Sequence, residues 1–221
     1  LASMGIYLFN AEFLYEQMIR DADEPGSSHD FGKDVIPYLI KKHRVYAHRF
    51  TDSCIGEHSC PPYYWRDVGT VDAYYEANMD LTKVLPELNL YDRSWPIWTY
   101  QEQLPPAKFV FDEADRRGLA VNSLVSGGCI ISGAALRQSL LFSNVQVLSH
   151  AQVVDSIILP NVDIGQHAYL RRVIVDKGCK IPERMVAGVD PAEDARRFYV
   201  TEKGITLITP EMLGQHIHHV R

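Results

Sequence analysis

Residues 124–154 read LVSGGCIISGAALRQSLLFSNVQVLSHAQVV, and this stretch decides the fold because its apolar residues recur at intervals of six. Small or polar residues, mostly glycine, serine and asparagine, stand between them. A period of six is typical of a left-handed parallel β-helix, in which each side of a triangular coil sends one aliphatic residue inward. The apolar positions of this series are Leu124, Ile130, Leu136, Phe142, Leu148 and Val154.

The same pattern continues, with a change of phase, beyond Pro160. The residues that continue it are Ile164, Leu170, Val175 and Ile181. Because a single coil cannot bury its inward residue alone, several coils must stack into one domain. An irregular all-β domain is the alternative, and the regular period favours the β-helix. We therefore predict an all-β, left-handed β-helix of hexapeptide repeats over residues 121–221.

The first 85 residues alternate between strand-like and helix-like patterns, which indicates an α/β unit. Residues 4–9 are apolar on both alternating faces, as in a strand that is buried on both sides. Asn10 offers an N-cap for a following helix, and Thr70 offers one for a later helix. The other predicted elements are a short helix over residues 33–42 and a strand over residues 45–50.

Four prolines interrupt residues 86–120, a stretch in which no period is sustained. Proline punctuates regular structure, so we expect this stretch to connect two domains. The predicted organisation is an α/β unit over residues 1–85, a connecting segment over residues 86–120, and the β-helix over residues 121–221.

The composition of the 221-residue chain is ordinary for a globular protein, with 46% hydrophobic and 23% charged residues. A net charge of -6 gives no electrostatic reason to expect nucleic acid or an anionic membrane surface as a partner. No apolar run reaches the roughly 18 residues of a membrane span, and the start lacks the pattern of a secretory signal. The four cysteines fit neither a metal knuckle nor a disulfide framework, so we expect free thiols in a reducing cytoplasm.

Seven short motifs occur in order along nearly the whole chain. They are LASMGIY (1–7), SHDFGKD (28–34), YWRDVGT (64–70), YDRSWP (91–96), LPPAKF (104–109), NSLVSGGC (122–129) and EDARRFY (193–199). WRDVGT alone is typical of sugar-nucleotide pyrophosphorylases in general. The ordered set resembles the ADP-glucose branch of that group, the bacterial glucose-1-phosphate adenylyltransferases.

This resemblance implies that the first part of the chain is the end of a nucleotidyltransferase domain with a Rossmann-like mixed sheet. It also implies roles in a sugar site, where carboxylates and hydroxyls recognise the hexose and a metal ion helps at the phosphates. The implied residues are Ser3 and Tyr7 in the glucose 1-phosphate pocket, Asp30 and Phe31 on the hexose, Trp65 in support, Lys33 on the phosphate side, and Asp67 as the catalytic ligand of Mg²⁺.

Each of these residues also has an ordinary structural interpretation. Asp30 is a common type of helix-start residue, and Trp65 is a common core aromatic. Asp67 stands just before a predicted helix, where a negative charge is stabilising. The triplet DFG at residues 30–32 occurs in protein kinases as well, but no glycine-rich loop, lysine strand or HRD element accompanies it.

The motif of the family's glycine-rich nucleotide loop does not occur in the sequence. Neither do the upstream aspartate that shares the metal and the Glu-Lys pair that contacts the sugar phosphate. The chain opens directly in a strand-like run, as a segment that starts within a domain does. We therefore expect half of a sugar site, almost no ATP site, and no turnover from this chain alone.

For the β-helix, the resemblance implies regulation by anionic allosteric effectors and subunit contacts within a homotetramer. Lys177 is the candidate effector contact. His150 and His167 lie within the repeat, and some hexapeptide-repeat proteins are acyltransferases that use a histidine base. A lone histidine on a coil is more often a surface residue, and acetyl-CoA binding would distinguish the two interpretations.

The function implied by the resemblance is synthesis of ADP-glucose and pyrophosphate from ATP and glucose 1-phosphate, for glycogen synthesis in the cytoplasm. Two alternatives remain open at this point. The protein could be a sugar-nucleotide pyrophosphorylase with a different base or sugar. The chain could also be a regulatory or assembly module without catalytic activity.

Overall fold

The computed structural model describes residues 3–52, 64–93 and 96–216 of the chain. Its helices are α1 (Ala11–Ala22), α2 (Ile36–Lys42), α3 (Val71–Asp80) and α4 (Pro191–Arg197), with a π-helical turn at Phe31–Val35 and 3₁₀ turns at Phe50–Asp52 and Glu211–Leu213. None of the helices in these ranges is long and apolar enough to cross a membrane.

The chain divides into two compact units, Leu1–Ser53 and Cys54–Arg221. The first unit holds α1, the π-helical turn and α2, and Val35 and Leu39 are its fully buried aliphatic residues. The second unit holds α3, every strand of the described residues, and α4.

Three sheets form the sides of a parallel β-helix in the second unit. Sheet 1 contains β1 (Lys108–Val110), β6 (Ile130–Ser132), β9 (Gln146–Val147), β12 (Asp163–Ile164) and β15 (Lys180–Ile181). Sheet 2 contains β4 (Leu119–Val121), β7 (Ala135–Arg137), β10 (Gln152–Val154), β13 (Tyr169–Arg171) and β16 (Val186–Ala187). Sheet 3 contains β5 (Leu124–Val125), β8 (Leu140–Leu141), β11 (Ile157–Ile158), β14 (Val173–Val175) and β18 (Thr206–Ile208).

Two insertions interrupt the regular coils. The antiparallel hairpin of β2 (Asp112–Glu113) and β3 (Arg116–Arg117) lies between the first strands of sheets 1 and 2. The other insertion contains α4 and β17 (Tyr199–Val200), and β17 pairs antiparallel with β18 at the edge of sheet 3. Both insertions leave the parallel stacking of the coils intact.

A residue with positive φ marks each corner between two sides of the β-helix. Such corners turn the chain sharply, and a left-handed backbone costs residues other than glycine about 1–2 kcal/mol. Successive corners are five or six residues apart, so one coil takes 16 or 17 residues. The corner residues are Asn122, Gly128, Gly133, Gln138, Asn144, His150, Asp155, Asn161, His167, Arg172, Gly178 and Arg184.

Three columns of buried aliphatic residues fill the centre of the β-helix, one column from each sheet. Residues within a column are direct partners across neighbouring strands, and each is at most 3% exposed. The columns are Ile131, Val147, Ile164 and Ile181 from sheet 1; Leu136, Val153, Leu170 and Ala187 from sheet 2; and Leu141, Ile158, Val175 and Ile208 from sheet 3.

The six-residue series predicted the type of fold correctly but not every inward residue. Leu136 is buried as expected, whereas Ile130 and Leu148 point outward and are 39% and 37% exposed. The reason is that each coil contains one or two sides of five residues, so a strict six-residue count falls out of phase with the inward positions. The inward residues of sheet 1 are therefore Ile131 and Val147, one position away from the count.

A ladder of serines supports one corner. The backbone N–H of Ser139 donates to Ser123 Oγ at 3.1 Å, and the N–H of Ser156 donates to Ser139 Oγ at 3.2 Å. Ser156 Oγ in turn accepts the N–H of Val173 at 3.2 Å. Buried backbone N–H groups need acceptors, and these hydroxyls supply them at the turn between two sheets.

Helix α3 covers the outer face of sheet 3. Its Tyr75 packs against Leu140, Ile157 and Ile174, and burial raises the pKa of the tyrosine hydroxyl to about 12. The Tyr75 hydroxyl donates to the carbonyl oxygen of Asp155 at 2.6 Å. Sheet 3 is thus buried on both faces, which explains why its strands read as apolar runs.

The helices of the first 85 residues agree with expectation better than the strands do. Asn10 caps α1 and Thr70 caps α3, each through its side-chain oxygen. The predicted helix over residues 33–42 begins earlier, as the π-helical turn. The strands predicted over residues 4–9 and 45–50 are wrong for this structure, because no neighbouring backbone within residues 3–52 pairs with either. The boundaries at residues 85 and 120 stay predictions.

The assignment of inward and outward residues can be tested with Leu136 and Leu148, which both belong to the six-residue series. Leu136→Ala removes a fully buried side chain, and we expect the free energy of unfolding to fall by about 2–5 kcal/mol. Leu148→Ala removes a partly exposed side chain on the outer face of sheet 1, and we expect a loss below about 1 kcal/mol. Denaturant unfolding monitored by circular dichroism measures both, and equal losses would contradict the corrected columns.

The thiols of Cys129 and Cys179 are free and buried within the β-helix. Burial is the main cause that raises the pKa of both thiols. For Cys179 the pKa rises to about 12. Because the thiolate is the reactive species, we expect neither to react with iodoacetamide at about pH 8 in the folded protein. Mass spectrometry of peptides should show both alkylated after unfolding. Cys54 and Cys60, also predicted to be free, lie outside the described residues.

Candidate functional site

The first unit contains a cleft of about 510 Å³ that two predicted sugar-site motifs build together. Its aromatic wall consists of Tyr7 and Phe31, whose rings stack with centroids 5.7 Å apart, and of Phe9, 6.1 Å from Phe31. The residues that line it are Gly5, Tyr7, Phe9, Leu14, Asp30, Phe31 and Gly32. An aromatic face beside a carboxylate suits a ligand with an apolar ring face and hydroxyl groups.

Ser3 is tied to the same wall through the hydroxyl of Tyr7. The two oxygens are 2.8 Å apart, and Ser3 Oγ also accepts the N–H of Gly5 at 3.2 Å. Gly5 has a φ of +74°, which an L side chain rarely adopts, so glycine permits this turn. The structure therefore brings Ser3, Tyr7 and Phe31 together.

Asp30 stands at the rim of the cleft and at the start of the π-helical turn. Its Oδ1 accepts the N–H of Lys33 at 2.8 Å, which caps the turn and fixes the carboxylate in place. The helix-start interpretation of Asp30 is thus confirmed, and it is compatible with a ligand contact because the side chain is exposed and lines the cleft. Lys33 is exposed.

Two carboxylates that the sequence did not single out, Asp21 and Asp34, contact the turn that carries Asp30. Asp21 belongs to the last turn of α1 and is 3% exposed. Asp34 lies within the π-helical turn, four residues after Asp30. A spacing of four places side chains on one helix face, and this was the available signal for Asp34. No local pattern marks Asp21.

Trp65 and Asp67 belong to the second unit, on the segment that leads into α3. Asp67 is exposed, and its Oδ1 accepts the N–H of Gly69 at 3.0 Å. Trp65 is 49% exposed, so the interpretation as a fully buried core aromatic does not hold. Between them, Arg66 pairs with Glu87 at 2.6 Å, and this hydrogen bond raises the pKa of the guanidinium.

The carboxylate of Asp67 fits Mg²⁺ as a single ligand. In the described parts of the chain, no three His, Cys, Asp or Glu side chains are grouped so that they could hold a metal ion alone. Mg²⁺ nevertheless binds commonly through one or two carboxylates, phosphate oxygens of the substrate and several waters. The exposed carboxylate of Asp67, on the segment before α3, is suited to that mode of binding.

The candidate residues of the β-helix are corner and surface residues. His150 and His167 occupy equivalent corners of successive coils, and their rings stack with centroids 4.8 Å apart. His150 Nδ1 donates to the carbonyl oxygen of Asp115 at 3.1 Å, beside a cleft of about 280 Å³. Lys177 is exposed next to the corner Gly178. The stacked pair thus forms part of two successive corners of the β-helix.

Comparison with known proteins agrees with both parts of the chain. The family described as nucleotidyl transferase matches residues 1–84, and the family described as GlmU-like, C-terminal hexapeptide matches residues 105–208. The second match identifies the parallel β-helix as the left-handed hexapeptide type. Helix α3 thus falls within the nucleotidyl transferase match, although it packs on the β-helix.

Curated relatives are similar along the entire chain. The glucose-1-phosphate adenylyltransferase of Methylobacillus flagellatus is 68% identical over 100% of this chain and 52% of its own length. That of Nitrosospira multiformis is 67% identical over 100% of this chain and 52% of its own length. That of Dechloromonas aromatica is 67% identical over 97% of this chain and 49% of its own length.

The chain spans about half the length of these relatives. Its two matched regions follow each other in the order nucleotidyl transferase, then hexapeptide β-helix. Together with an identity of two thirds along the chain, they show that it belongs to the glucose-1-phosphate adenylyltransferase family.

Proposed function

We propose that this chain forms the hexose side of a glucose-1-phosphate adenylyltransferase, which makes ADP-glucose and pyrophosphate from ATP and glucose 1-phosphate. The observation that carries the proposal is the cleft of Tyr7, Asp30 and Phe31 in a chain about two thirds identical to enzymes of that name. Glycogen synthesis in the cytoplasm is the corresponding setting.

The cleft recognises the sugar through complementary chemistry. The carboxylate of Asp30 accepts hydrogen bonds from hexose hydroxyls, and Phe31 packs against the apolar face of the ring. The hydroxyls of Ser3 and Tyr7, already 2.8 Å apart, line the glucose 1-phosphate pocket. Lys33 serves the phosphate side of the site, and Trp65 supports binding of the sugar.

The reaction is a displacement at phosphorus. An oxygen of the sugar phosphate attacks the α-phosphorus of ATP, and the bond from that phosphorus to the bridging oxygen of pyrophosphate breaks. Asp67 holds Mg²⁺, which neutralises charge on the phosphates when it is bound. The remaining task of the protein is to position the two substrates, because no covalent intermediate with the protein is needed.

We further propose that the β-helix serves regulation and assembly. Lys177 is exposed and available for an anionic allosteric effector. The stacked coils give a rigid body on which subunits of a homotetramer assemble. The arginines of α4 are less available for an effector, because Arg196 pairs with Glu193 and Arg197 pairs with Asp194.

Binding of glucose 1-phosphate to the 221-residue chain tests the hexose half-site. We expect saturable binding by isothermal titration calorimetry, with glucose 1-phosphate bound more tightly than glucose. Phe31→Ala should weaken the binding at least about tenfold, because it removes the ring that packs on the sugar. Phe111→Ala is the matched control, since Phe111 belongs to the second unit and lies outside the cleft. Absence of binding by the unmodified chain would contradict the proposed function.

Turnover tests the role of Asp67. The chain alone should form no ATP from ADP-glucose and pyrophosphate. Addition of the half of a curated relative that this chain does not match should give formation of ATP. Asp67→Asn should lower the restored rate by about 10²–10³-fold, because it removes a charge that holds Mg²⁺. Glu202→Gln, an exposed carboxylate of the same unit, is the control. Turnover by the chain alone, or full activity of Asp67→Asn, would contradict these assignments.

A further inference from the structure

The turn of residues 27–30, which leads into the hexose cleft, lies between two carboxylates. On one side, both oxygens of Asp21 are 3.0 Å from Ser27 Oγ, and Asp21 Oδ2 is 3.1 Å from His29 Nδ1. Asp21 is 3% exposed, and a buried carboxylate is tolerated only where hydrogen bonds or charges satisfy it. Asp21 therefore anchors the turn to the end of α1.

On the other side, Asp34 holds the same turn through its Oδ2 atom. This oxygen accepts the hydroxyl of Ser28 at 2.6 Å, the N–H of Ser28 at 3.1 Å and the N–H of Asp30 at 3.2 Å. The Ser28 hydroxyl is the main cause that holds the pKa of Asp34 below its ordinary value. Asp34 is therefore ionised near neutral pH and accepts all three bonds as a carboxylate.

The backbone between these anchors is in an unfavourable conformation. His29 has a φ of +57°, which costs a residue with a Cβ about 1–2 kcal/mol. Such a conformation persists only where the surroundings fix it, and strained turns of this kind occur often at ligand sites. Here the bonds from Asp21 and Asp34 fix it, one residue before Asp30.

The conformation of His29 sets the direction in which the next two residues leave the turn. Asp30 and Phe31 line the cleft, whereas Asp21 and Asp34 do not. A relaxed turn would move the carboxylate and the ring that meet the sugar, without any change in the residues that touch it. A misplacement of about 1 Å in groups that position a substrate can cost an enzyme about 10²-fold in rate.

We propose that Asp21 and Asp34 are positioning residues of the hexose site, which together hold the turn of residues 27–30 so that Asp30 and Phe31 meet the sugar. This inference rests on the proposed function. It assigns specificity for the hexose to a carboxylate pair outside the cleft, and the pair acts only through the turn.

Three substitutions in the 221-residue chain test the proposal. Asp34→Ala removes the acceptor of all three bonds, and alanine is a better helix former than aspartate, so α2 should be retained. Ser28→Ala removes the shortest of the bonds, and Ser28→Thr restores the hydroxyl. Glu16→Ala, which removes an exposed carboxylate from the middle of α1, is the matched control.

Two measurements report on each variant. Isothermal titration calorimetry should show an affinity for glucose 1-phosphate about tenfold lower for Asp34→Ala and Ser28→Ala, with little change for Ser28→Thr and Glu16→Ala. Hydrogen exchange should show faster exchange of the Asp30 N–H in the two weak binders. The melting temperature should stay within about 3 °C of that of the unmodified chain, which separates positioning from loss of fold.

The outcomes distinguish a failure of the positioning role from a failure of the proposed hexose site. Unchanged affinity in Asp34→Ala together with faster exchange of the Asp30 N–H would overturn the positioning role and leave the hexose site standing. Absence of glucose 1-phosphate binding by the unmodified chain would overturn the site and the positioning role together. Restored affinity in Ser28→Thr supports the hydroxyl as the link between the carboxylate and the turn.

Discussion

The second unit depends on one constraint, that each coil of the β-helix places the inward residues of its three strands directly against those of the next coil. Leu136 meets Val153 and Val153 meets Leu170, because the paired strands keep a fixed register. A slip of one residue in the pairing of two neighbouring strands would move the inward residues of one strand to the opposite face. This constraint fixes the spacing of the corners. It also requires that the two insertions, the β2–β3 hairpin and the segment with α4, lie outside the paired strands of the coils.

The sequence predicted the β-helix because each side of a stacked coil places one apolar residue inward, and this repetition produces the period. It did not predict which of two adjacent apolar residues points inward, as Ile130 and Ile131 show. That choice depends on the five-residue side, which is visible only as a corner with positive φ at residues such as His150 and His167. Residues as different as Gln138, Asp155 and Arg172 stand at such corners, so residue type alone gave no signal.

In the candidate site too, some contacts lie within a short motif and others come from a distant part of the chain. Asp30 and Phe31 stand in a short motif, and the capping bond of Asp30 to the N–H of Lys33 lies within three residues. Asp21 reaches the same turn from another helix, over eight residues to His29. The proposed ligand residues stand in a short motif, whereas the bond from Asp21 to His29 arises from the packing of α1, which no local pattern marks.

Helix α3 carries a consequence for any attempt to separate the two parts of the chain. It lies before residue 85, yet its Tyr75 covers the outer face of sheet 3. A β-helix cut free at that point would present Leu140, Ile157 and Ile174 as a flat apolar surface to water. Such surfaces associate with one another. The isolated β-helix should therefore aggregate unless the cut is placed ahead of Thr70.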